Sequence, residues 1–402
     1  MKKRIQLAVI STFLSIVAHA YLAVHYYPLK FGFASGSSIC NLNAKFDCDA
    51  VSASTYSSAF GIPMAVWGAA FNAVLLVLIL ISWLEWTERP ERMKRWALGF
   101  AGVSALTSLT MLLISVMMMH NYCIVCMGLY VLSFITLFAL RGIVREPFWA
   151  GAKDDLATLW TDSRALVVFM LAVPVAAFVI HKSFMSNLGD TEQLSLIVRE
   201  AVADWASAPK QDFVAKPSLT MGPEATQAKM TLTEFADFRC GHCKRASYSL
   251  HAFVKSHPDV RFEFYSFPLD GACNEKINSK SGISCRLAAT VYCAEKEGSG
   301  KGWLMHDFLY ENQDTINQFA SLPEVDMFLS KSIQPTGLNW ESISRCADTG
   351  DTMDAIRAQA KQGALVNVVG TPTLFANGKA LNRGQLVPVL QAVHNQITSG
   401  SN

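Results

Sequence analysis

Five long apolar runs fill the first part of the chain, each bounded by polar or charged residues. They are roughly Ile5–Tyr27, Phe60–Leu84, Trp96–Met119, Cys123–Leu140 and Ala165–His181. A helix needs about 20 apolar residues to cross a bilayer, so each run reads as a membrane span. The last is the shortest and contains Pro174, which blurs its ends. Ala18-His19-Ala20 has the small-residue pattern of a cleavage site. The apolar run continues through Tyr21, Leu22, Ala23 and Val24, so the first span reads as retained.

After the fifth run the periodicity changes. Residues 185–228 read as a linker that includes an amphipathic helix over Thr191–Ala206. Leu194, Ile197, Val198, Ala201, Val202 and Trp205 share one face of that helix, so it packs against something. Pro209, Pro217, Gly222 and Pro223 mark irregular chain. From Lys229 the pattern is soluble α/β. Met230–Phe238 and Val260–Phe267 predict strands, and Gly241–His257 predicts the helix between them. Leu287–Glu297, Trp303–Gln313 and Thr352–Ala364 predict helices. Thr373–Ala376, Asn377-Gly378 and Lys379–Leu381 predict a hairpin. A helix from about Gln385 to Ile397 closes the pattern. No internal repeat or low-complexity tract is visible.

Composition agrees with the spans. Hydrophobic residues reach 51% and charged residues only 16%, too apolar for an ordinary soluble chain. The net charge of +2 gives no case for nucleic acid. Lys and Arg gather in alternate loops: Lys2, Lys3 and Arg4; then Arg89, Arg92, Lys94 and Arg95; then Arg141, Arg145, Lys153 and Arg164. The opposite loops carry only Lys30 and Lys45. Basic loops stay cytoplasmic, so the C-terminal half emerges on the outer side.

That topology places all ten cysteines outside or near the outer face, where disulfides persist. Cys240-Gly241-His242-Cys243 lies between a predicted strand and a predicted helix. The first cysteine then sits at a helix N-terminus, where the dipole and free N–H groups favour a thiolate. His242 adds to that. Holding the reduced pair as a thiolate makes the disulfide more oxidising. Cys240 is the expected exchanging sulfur and Cys243 the resolving one. A zinc site would need a second ligand pair at finger spacing, and none follows, so no metal is expected.

Cys123-Ile124-Val125-Cys126 starts the fourth span, with one helical turn between the sulfurs. Cys40 and Cys48 lie in the first outer loop, whose polar, Gly/Ser-rich composition predicts mobility. One mobile pair and one fixed pair suit a relay; two structural bridges are the plainer alternative. Cys273, Cys285, Cys293 and Cys346 read as structural disulfides. Cys273–Cys285 is favoured by its short loop, leaving Cys293–Cys346, though four cysteines allow three connectivities. His19, His25 and His120 have no partners at metal spacing and read as incidental.

The soluble half resembles the thioredoxin superfamily, in particular its DsbA-like branch. The resemblance rests on Glu234-Phe235-Ala236-Asp237-Phe238-Arg239-Cys240-Gly241-His242-Cys243 and Gly370-Thr371-Pro372-Thr373-Leu374-Phe375, with a helical stretch between them. It implies a cis Pro372 facing the cysteine pair and a Thr371 backbone offered, with His242, to an extended substrate peptide. It also implies that Glu234 is a buried acid assisting proton transfer; the plainer alternative is a partly exposed strand carboxylate. Gly241-His242 departs from the Pro-His usual in that branch and looks like protein disulfide isomerase.

The membrane half resembles the vitamin K epoxide reductase family. The matching residues are Cys40, Cys48, Ser54, Phe60-Gly61-Ile62-Pro63, Gly68, and Cys123-Ile124-Val125-Cys126 followed by Tyr130. The resemblance implies a four-helix bundle around a quinone, ubiquinone or menaquinone. Cys126 would contact the quinone, Cys123 would exchange with Cys48, and Cys40 with Cys240. Ser54 and Tyr130 would line the redox site; a helix cap and an interface anchor are their plainer readings. Met64 stands where animal members carry an asparagine.

The expected fold class is therefore a membrane α-helical bundle of four helices plus a fifth span, followed by a soluble α/β thioredoxin-fold domain with a helical insertion. The expected division is 1–145, the four-helix domain; 146–190, a cytoplasmic loop and the fifth span; 191–217, a linker; and 218–402, the thioredoxin-fold domain. The expected function is a quinone-dependent thiol oxidase of the bacterial inner membrane, with its redox cysteines on the periplasmic side. Its partners would be reduced secreted proteins, the quinone pool and the lipid bilayer. Two rival readings are a membrane reductase passing electrons outward to an isomerase, and a non-catalytic peptide-binding chaperone.

Overall fold

The computed structural model describes residues 2–42, 45–119, 121–144, 148–158, 164–186 and 191–400. His120 and Arg145 lie outside the described residues. The chain divides into two compact units: Met1–Leu29 with Ser37–Thr191, and Lys30–Gly36 with Glu192–Asn402.

In the first unit, helix α1 (Lys2–Lys30) leads to short helix α2 (Cys48–Ala53) and a small hairpin, β1 (Ser58–Ala59) with β2 (Ile62–Pro63). Helices α3 (Met64–Trp83), α4 (Pro90–Met118), α5 (Ile124–Arg141), α6 (Phe148–Ala157) and α7 (Arg164–Ser186) follow. Five of these, α1, α3, α4, α5 and α7, are long and apolar enough to cross a membrane. Ala8, Ala70, Ala97 and Ala101 are fully buried. Small residues at such contacts let helices approach closely where no hydrophobic drive separates protein from lipid. Ser11 and Thr136 add a 2.7 Å hydrogen bond between α1 and α5.

The third span begins earlier than the apolar run predicts. Pro90, not Trp96, opens α4, because proline at the first helical position loses no hydrogen bond. Arg92, Lys94 and Arg95, read as loop charges, are thereby helical. Arg92 and Arg95 place their guanidiniums 2.9 and 3.1 Å from the buried Asp155 carboxylate on α6, and Trp96 Nε1 donates to it at 2.9 Å.

The second unit starts with α8 (Thr191–Ser207) and β3 (Leu219–Met221), then β4 (Met230–Ala236), α9 (Gly241–Ser256) and β5 (Val260–Ser266). A helical insertion comprises α10 (Ile283–Lys296), α11 (Lys301–Glu311), α12 (Gln313–Ile316), α13 (Leu322–Ser332) and α14 (Trp340–Ala347). Helix α15 (Gly350–Leu365), strands β6 (Thr373–Ala376) and β7 (Lys379–Ala380), and α16 (Val387–Thr398) complete it. The sheet order is β3-β5-β4-β6-β7. Strand β4 runs parallel to β5 and antiparallel to β6. This is a thioredoxin fold, with β4 central and delivering the chain to the start of α9.

Residues read as linker belong to this body. Trp205 on α8 donates to the Ala376 carbonyl at 3.0 Å. Phe213 packs on Phe235, Tyr265 and Phe375 with ring centroids 5.8, 5.8 and 5.3 Å apart. In the insertion the cysteines pair as Cys273–Cys285 and Cys293–Cys346.

Candidate active site

Strand β4 ends and α9 begins with Cys240 as the N-cap residue, at φ −81° and ψ 114°. The first N–H groups of a helix have no partner within it, so they face the Cys240 sulfur. Cys240 is half-buried, Cys243 is fully buried, and both are free thiols. A hydrogen bond from the Cys243 thiol, with others from Thr371 and from the N–H groups of Cys243 and His242, brings the Cys240 thiol down to about 5 against the opposing effect of burial. Burial, together with its bond to Cys240, pushes Cys243 well above the usual thiol range. The two sulfurs are thus electrostatically distinct: one ready to attack, one held protonated.

The Thr371–Pro372 peptide bond is cis. The Thr371 carbonyl lies 3.3 Å from Cys240 Sγ and accepts from the thiol while it is protonated. The Thr371 hydroxyl is buried and has no other hydrogen-bond partner among the described residues, which leaves it to serve the thiolate. His242 Nδ1 lies 2.9 Å from the Arg245 guanidinium.

Behind the pair, Glu234 on β4 is 1% exposed and its Oε1 has no hydrogen-bond partner among the described residues. Burial, reinforced by charge on Cys240, lifts its carboxyl to about 8. The alternative of a partly exposed strand carboxylate does not hold. Asp237 is also raised by burial, although its carboxylate accepts from the N–H groups of Leu269 and Arg239 at 2.7 and 2.6 Å.

The insertion braces the turn that carries Cys240. Gln313 Nε2 donates to the carbonyls of Phe238 and Cys240, at 2.7 and 3.0 Å. Asn317 accepts from Arg239 Nε at 3.1 Å and donates to its carbonyl at 3.3 Å. Sequence reasoning missed Gln313, because only the tertiary fold brings it to the motif.

In the first unit, Cys40 pairs with Cys48 and Cys123 with Cys126. Cys40, Cys48 and Cys123 are buried in one cluster with Leu22 and Leu129, and Cys126 packs against it. The two pairs are therefore brought together. Cys123 caps α5, its sulfur accepting from the Cys126 N–H at 3.1 Å.

Composition predicts a mobile loop around Cys40 and Cys48; the structure pins it. Asn41 Oδ1 accepts from the N–H groups of Cys48 and Asp49 at 2.8 and 3.3 Å. The buried Asp49 carboxylate accepts from Asn41 Nδ2 at 2.7 Å, from Ser38 N at 3.0 Å, and from the Ser38 hydroxyl. Tyr122, next to Cys123, exchanges backbone hydrogen bonds with Lys45 and Asp47 at 2.7 and 3.0 Å, tying the loop to the start of α5.

A cavity of about 300 Å³ opens beside these pairs within the helices. Cys123, Cys126, Ser54, Tyr130 and Met64 line it, with Trp67 and Phe71 on its apolar side. The Ser54 side chain makes no cap bond and donates to the Val51 carbonyl at 2.7 Å. His19, read from sequence as incidental, and Asn72, not singled out there, also line the cavity. The signal for His19 was present: an ionisable residue inside an apolar span is a functional candidate by default.

His251, His306 and Asp307 bring three possible ligand atoms within 4.8 Å of one another, a group the sequence reading did not see. His306 Nδ1 and Asp307 Oδ1 lie 2.8 Å apart, a hydrogen bond that accounts for that pair.

Comparisons with known proteins fall on the same two units. The vitamin K epoxide reductase family model matches residues 6–140, and the DSBA-like thioredoxin domain model matches residues 231–393. Among solved structures, the chain is similar to oxidised BdbD from Bacillus subtilis, at 18% identity and TM-score 0.36, covering 47% of this chain and 100% of that one. It is also similar to DsbA2 of Pseudomonas aeruginosa, at 20% identity and TM-score 0.35, covering 45% of this chain and 95% of that one. Among curated proteins it matches "Na(+)/H(+) antiporter NhaA 3" of Salinispora tropica at 26% identity over 174 residues, which is 42% of this chain and 22% of that protein. The match thus spans about a fifth of that relative's length.

Proposed function

We propose that this chain, a fusion of a vitamin K epoxide reductase family domain with a DSBA-like thioredoxin domain and so a disulfide-forming oxidoreductase, oxidises client thiols and delivers their electrons to a membrane quinone. The carrying observation is the pairing of chemistries. One unit offers an attacking Cys240 over a buried Cys243. The other offers two adjacent disulfides, the second forming a wall of a mainly apolar cavity. The cavity volume is at the lower end of small-molecule sites, and its aromatic and sulfur lining suits a lipid-soluble planar acceptor.

With Cys240–Cys243 oxidised, a client thiolate attacks Cys240, and the peptide segment beside it is held by the Thr371 backbone, Pro372 and His242. Cys243 leaves as the thiolate and takes a proton with the help of Glu234. The second client thiol then attacks the mixed disulfide and releases Cys240, giving a client disulfide and a reduced Cys240–Cys243 pair. Cys240 next attacks Cys40 and displaces Cys48; Cys243 resolves the adduct. Cys48 then attacks Cys123, displacing Cys126, and Cys40 closes back on Cys48. Each step breaks one disulfide and forms another, so two electrons move without loss. Quinone bound beside Cys126, between Ser54 and Tyr130, would accept the two electrons with two protons. The basic loops, cytoplasmic on the positive-inside pattern, support a periplasmic position for this chemistry at the bacterial inner membrane. The division into 1–145, 146–190, 191–217 and 218–402 is kept as the working domain map, with 191–217 carried on the thioredoxin body.

The test is purified full-length protein with a reduced client peptide and ubiquinone-1, following quinone absorbance. Client oxidation and quinone loss should run one to one. Client oxidation without quinone loss would sink the quinone assignment. A Cys48→Ala, Cys243→Ala variant should accumulate a Cys40–Cys240 adduct on mapping by mass spectrometry; an adduct at another cysteine would overturn the order.

A further inference from the structure

His19 lies inside α1, which is long and apolar enough to cross a membrane. Its Nδ1 is 2.7 Å from the Ser15 carbonyl. A carbonyl only accepts, so Nδ1 carries a hydrogen and the other ring nitrogen, Nε2, is left to act. Nε2 has no hydrogen-bond partner among the described residues, and His19 lines the cavity that also holds Cys123 and Cys126. The ring is seated over Gly68 on α3: a Cβ at Gly68 would overlap His19 Nε2 and Cδ2. One turn along α3, Asn72 donates to the Gly68 carbonyl at 2.9 Å, so its Oδ1 also remains for the cavity.

Proton balance gives this arrangement a task, and here the argument rests on the quinone reading above. The Cys126 N–H points at the Cys123 sulfur from the start of α5. That is the setting in which a reduced cysteine sits as a thiolate. Closing a disulfide from one thiolate and one thiol yields two electrons and one proton. Converting a quinone to a quinol takes two electrons and two protons, so one proton must come from another group. The other titratable side chains on the cavity wall are Tyr26, Tyr56 and Tyr130, which are weak acids.

We propose that His19 is the hydrogen-bonding and proton-delivering ligand for the acceptor in this cavity, acting through Nε2 while Nδ1 stays on the Ser15 carbonyl, and that Gly68 is the position that seats it. Protonated, Nε2 donates to an acceptor oxygen; once the proton has moved, the neutral ring accepts from the resulting hydroxyl. His19 is recharged by protonation before the next turnover.

The test uses full-length protein in detergent with ubiquinone-1 as probe, in wild type, His19→Gln, His19→Ala, Gly68→Ala and the His19→Ala, Gly68→Ala double variant. Two quantities are read: equilibrium affinity by calorimetry, and the single-turnover rate of Cys123–Cys126 closure by thiol trapping. His19→Gln should slow closure about a hundredfold, the usual scale of a lost general acid. Steady-state client oxidation, which depends on that closure, should slow with it. Gly68→Ala should weaken ubiquinone-1 binding about tenfold in the wild-type background and scarcely at all in the His19→Ala background. Closure in His19→Gln at the wild-type rate would overturn the proton role, and equal Gly68→Ala losses in both backgrounds would overturn the seating role. If wild type itself neither binds nor reduces ubiquinone-1, the quinone reading falls and this proposal with it. If wild type does both and the variants match it, only the present proposal falls.

Discussion

At the scale of single residues, the asymmetry between Cys240 and Cys243 decides what the thioredoxin domain can do. A thiol held near 5 is a thiolate at neutral pH, and its partner at the same pH is not. Alkylation of the reduced protein by iodoacetamide should therefore label Cys240 first, with a rate that rises through an inflection near pH 5. An inflection near the ordinary thiol value would contradict the hydrogen-bond assignment. Glu234 makes a second residue-level prediction. Its carboxyl is raised to about 8 by burial and by Cys240, so the folded reduced state holds a proton that the unfolded chain releases above about 4.5. Stability from this group is full at low pH and is lost as pH climbs through about 8. Glu234→Gln removes that loss. In urea unfolding of the reduced protein, variant minus wild type should grow by a few kcal/mol between pH 5 and 8, since each pKa unit is about 1.4 kcal/mol. A flat difference would mean that Glu234 ionises in the fold at its ordinary value.

At the scale of elements, the helical insertion contributes more than bulk. Gln313 sits at the start of α12 and satisfies two backbone carbonyls in the turn before α9. Gln313→Leu strips the Phe238 carbonyl of its donor, while the Cys240 carbonyl keeps the Lys244 N–H at 3.2 Å, at a cost of about 1–3 kcal/mol. It should also move the Cys240 alkylation inflection upward, because the turn that aims the N–H groups loosens; an unmoved inflection would leave Gln313 a purely structural residue. The insertion disulfides differ in what they enclose. Cys293–Cys346 spans 53 residues and Cys273–Cys285 spans 12. Loop-closure entropy gives about 4 and about 3 kcal/mol respectively. The Cys293→Ala, Cys346→Ala double variant should thus lose more in denaturant unfolding than the Cys273→Ala, Cys285→Ala one.

How far the elements were legible follows from the range of the signals. Membrane spans declare themselves because bilayer thickness demands long unbroken runs, and all five are visible as such. Strand β4 and helix α9 show because hydrophobic pattern and cysteine motif coincide there. Helices α13 and α14 are short, at 11 and 8 residues, and are held by the Ser321–Glu324 capping box and the Asn339 cap. Strand β3 is only 3 residues and exists by pairing with β5. The cysteine sites were readable because their spacing is local. Gln313 and Asn72 were not, because each gains its meaning from contacts the fold creates; His19 carries a local signal, an ionisable residue in an apolar span, yet reads as incidental on metal spacing alone.

At the scale of the whole molecule, fusion changes kinetics rather than chemistry. The Cys240–Cys243 pair and the Cys40–Cys48 pair lie in separate compact units of one chain. Joining two reactive modules replaces a bimolecular encounter with an effective concentration of order millimolar. A protease site inserted after Thr191, at the boundary between the two units, gives the control. Before cleavage, electron transfer from reduced Cys240–Cys243 to the membrane cysteines should be first order and independent of protein concentration. After cleavage, at about 1 μM chain, it should slow by about 10²–10³-fold and become proportional to concentration. Excess free thioredoxin-like fragment should restore the rate. A rate unchanged by cutting would show that the units stay associated without the covalent link, and would move the advantage of fusion from proximity to co-delivery of the two domains. The pinned loop around Cys40 sets the limit on this gain. Cys40 is 4% exposed, so on the proposed relay the Ser38–Asn41–Asp49 network must open before Cys240 can attack. Asp49→Ala weakens that network and should raise the uncut transfer rate while leaving client oxidation at Cys240 unchanged. A rate that falls instead would mean the network holds Cys40 in the attacked geometry rather than shielding it.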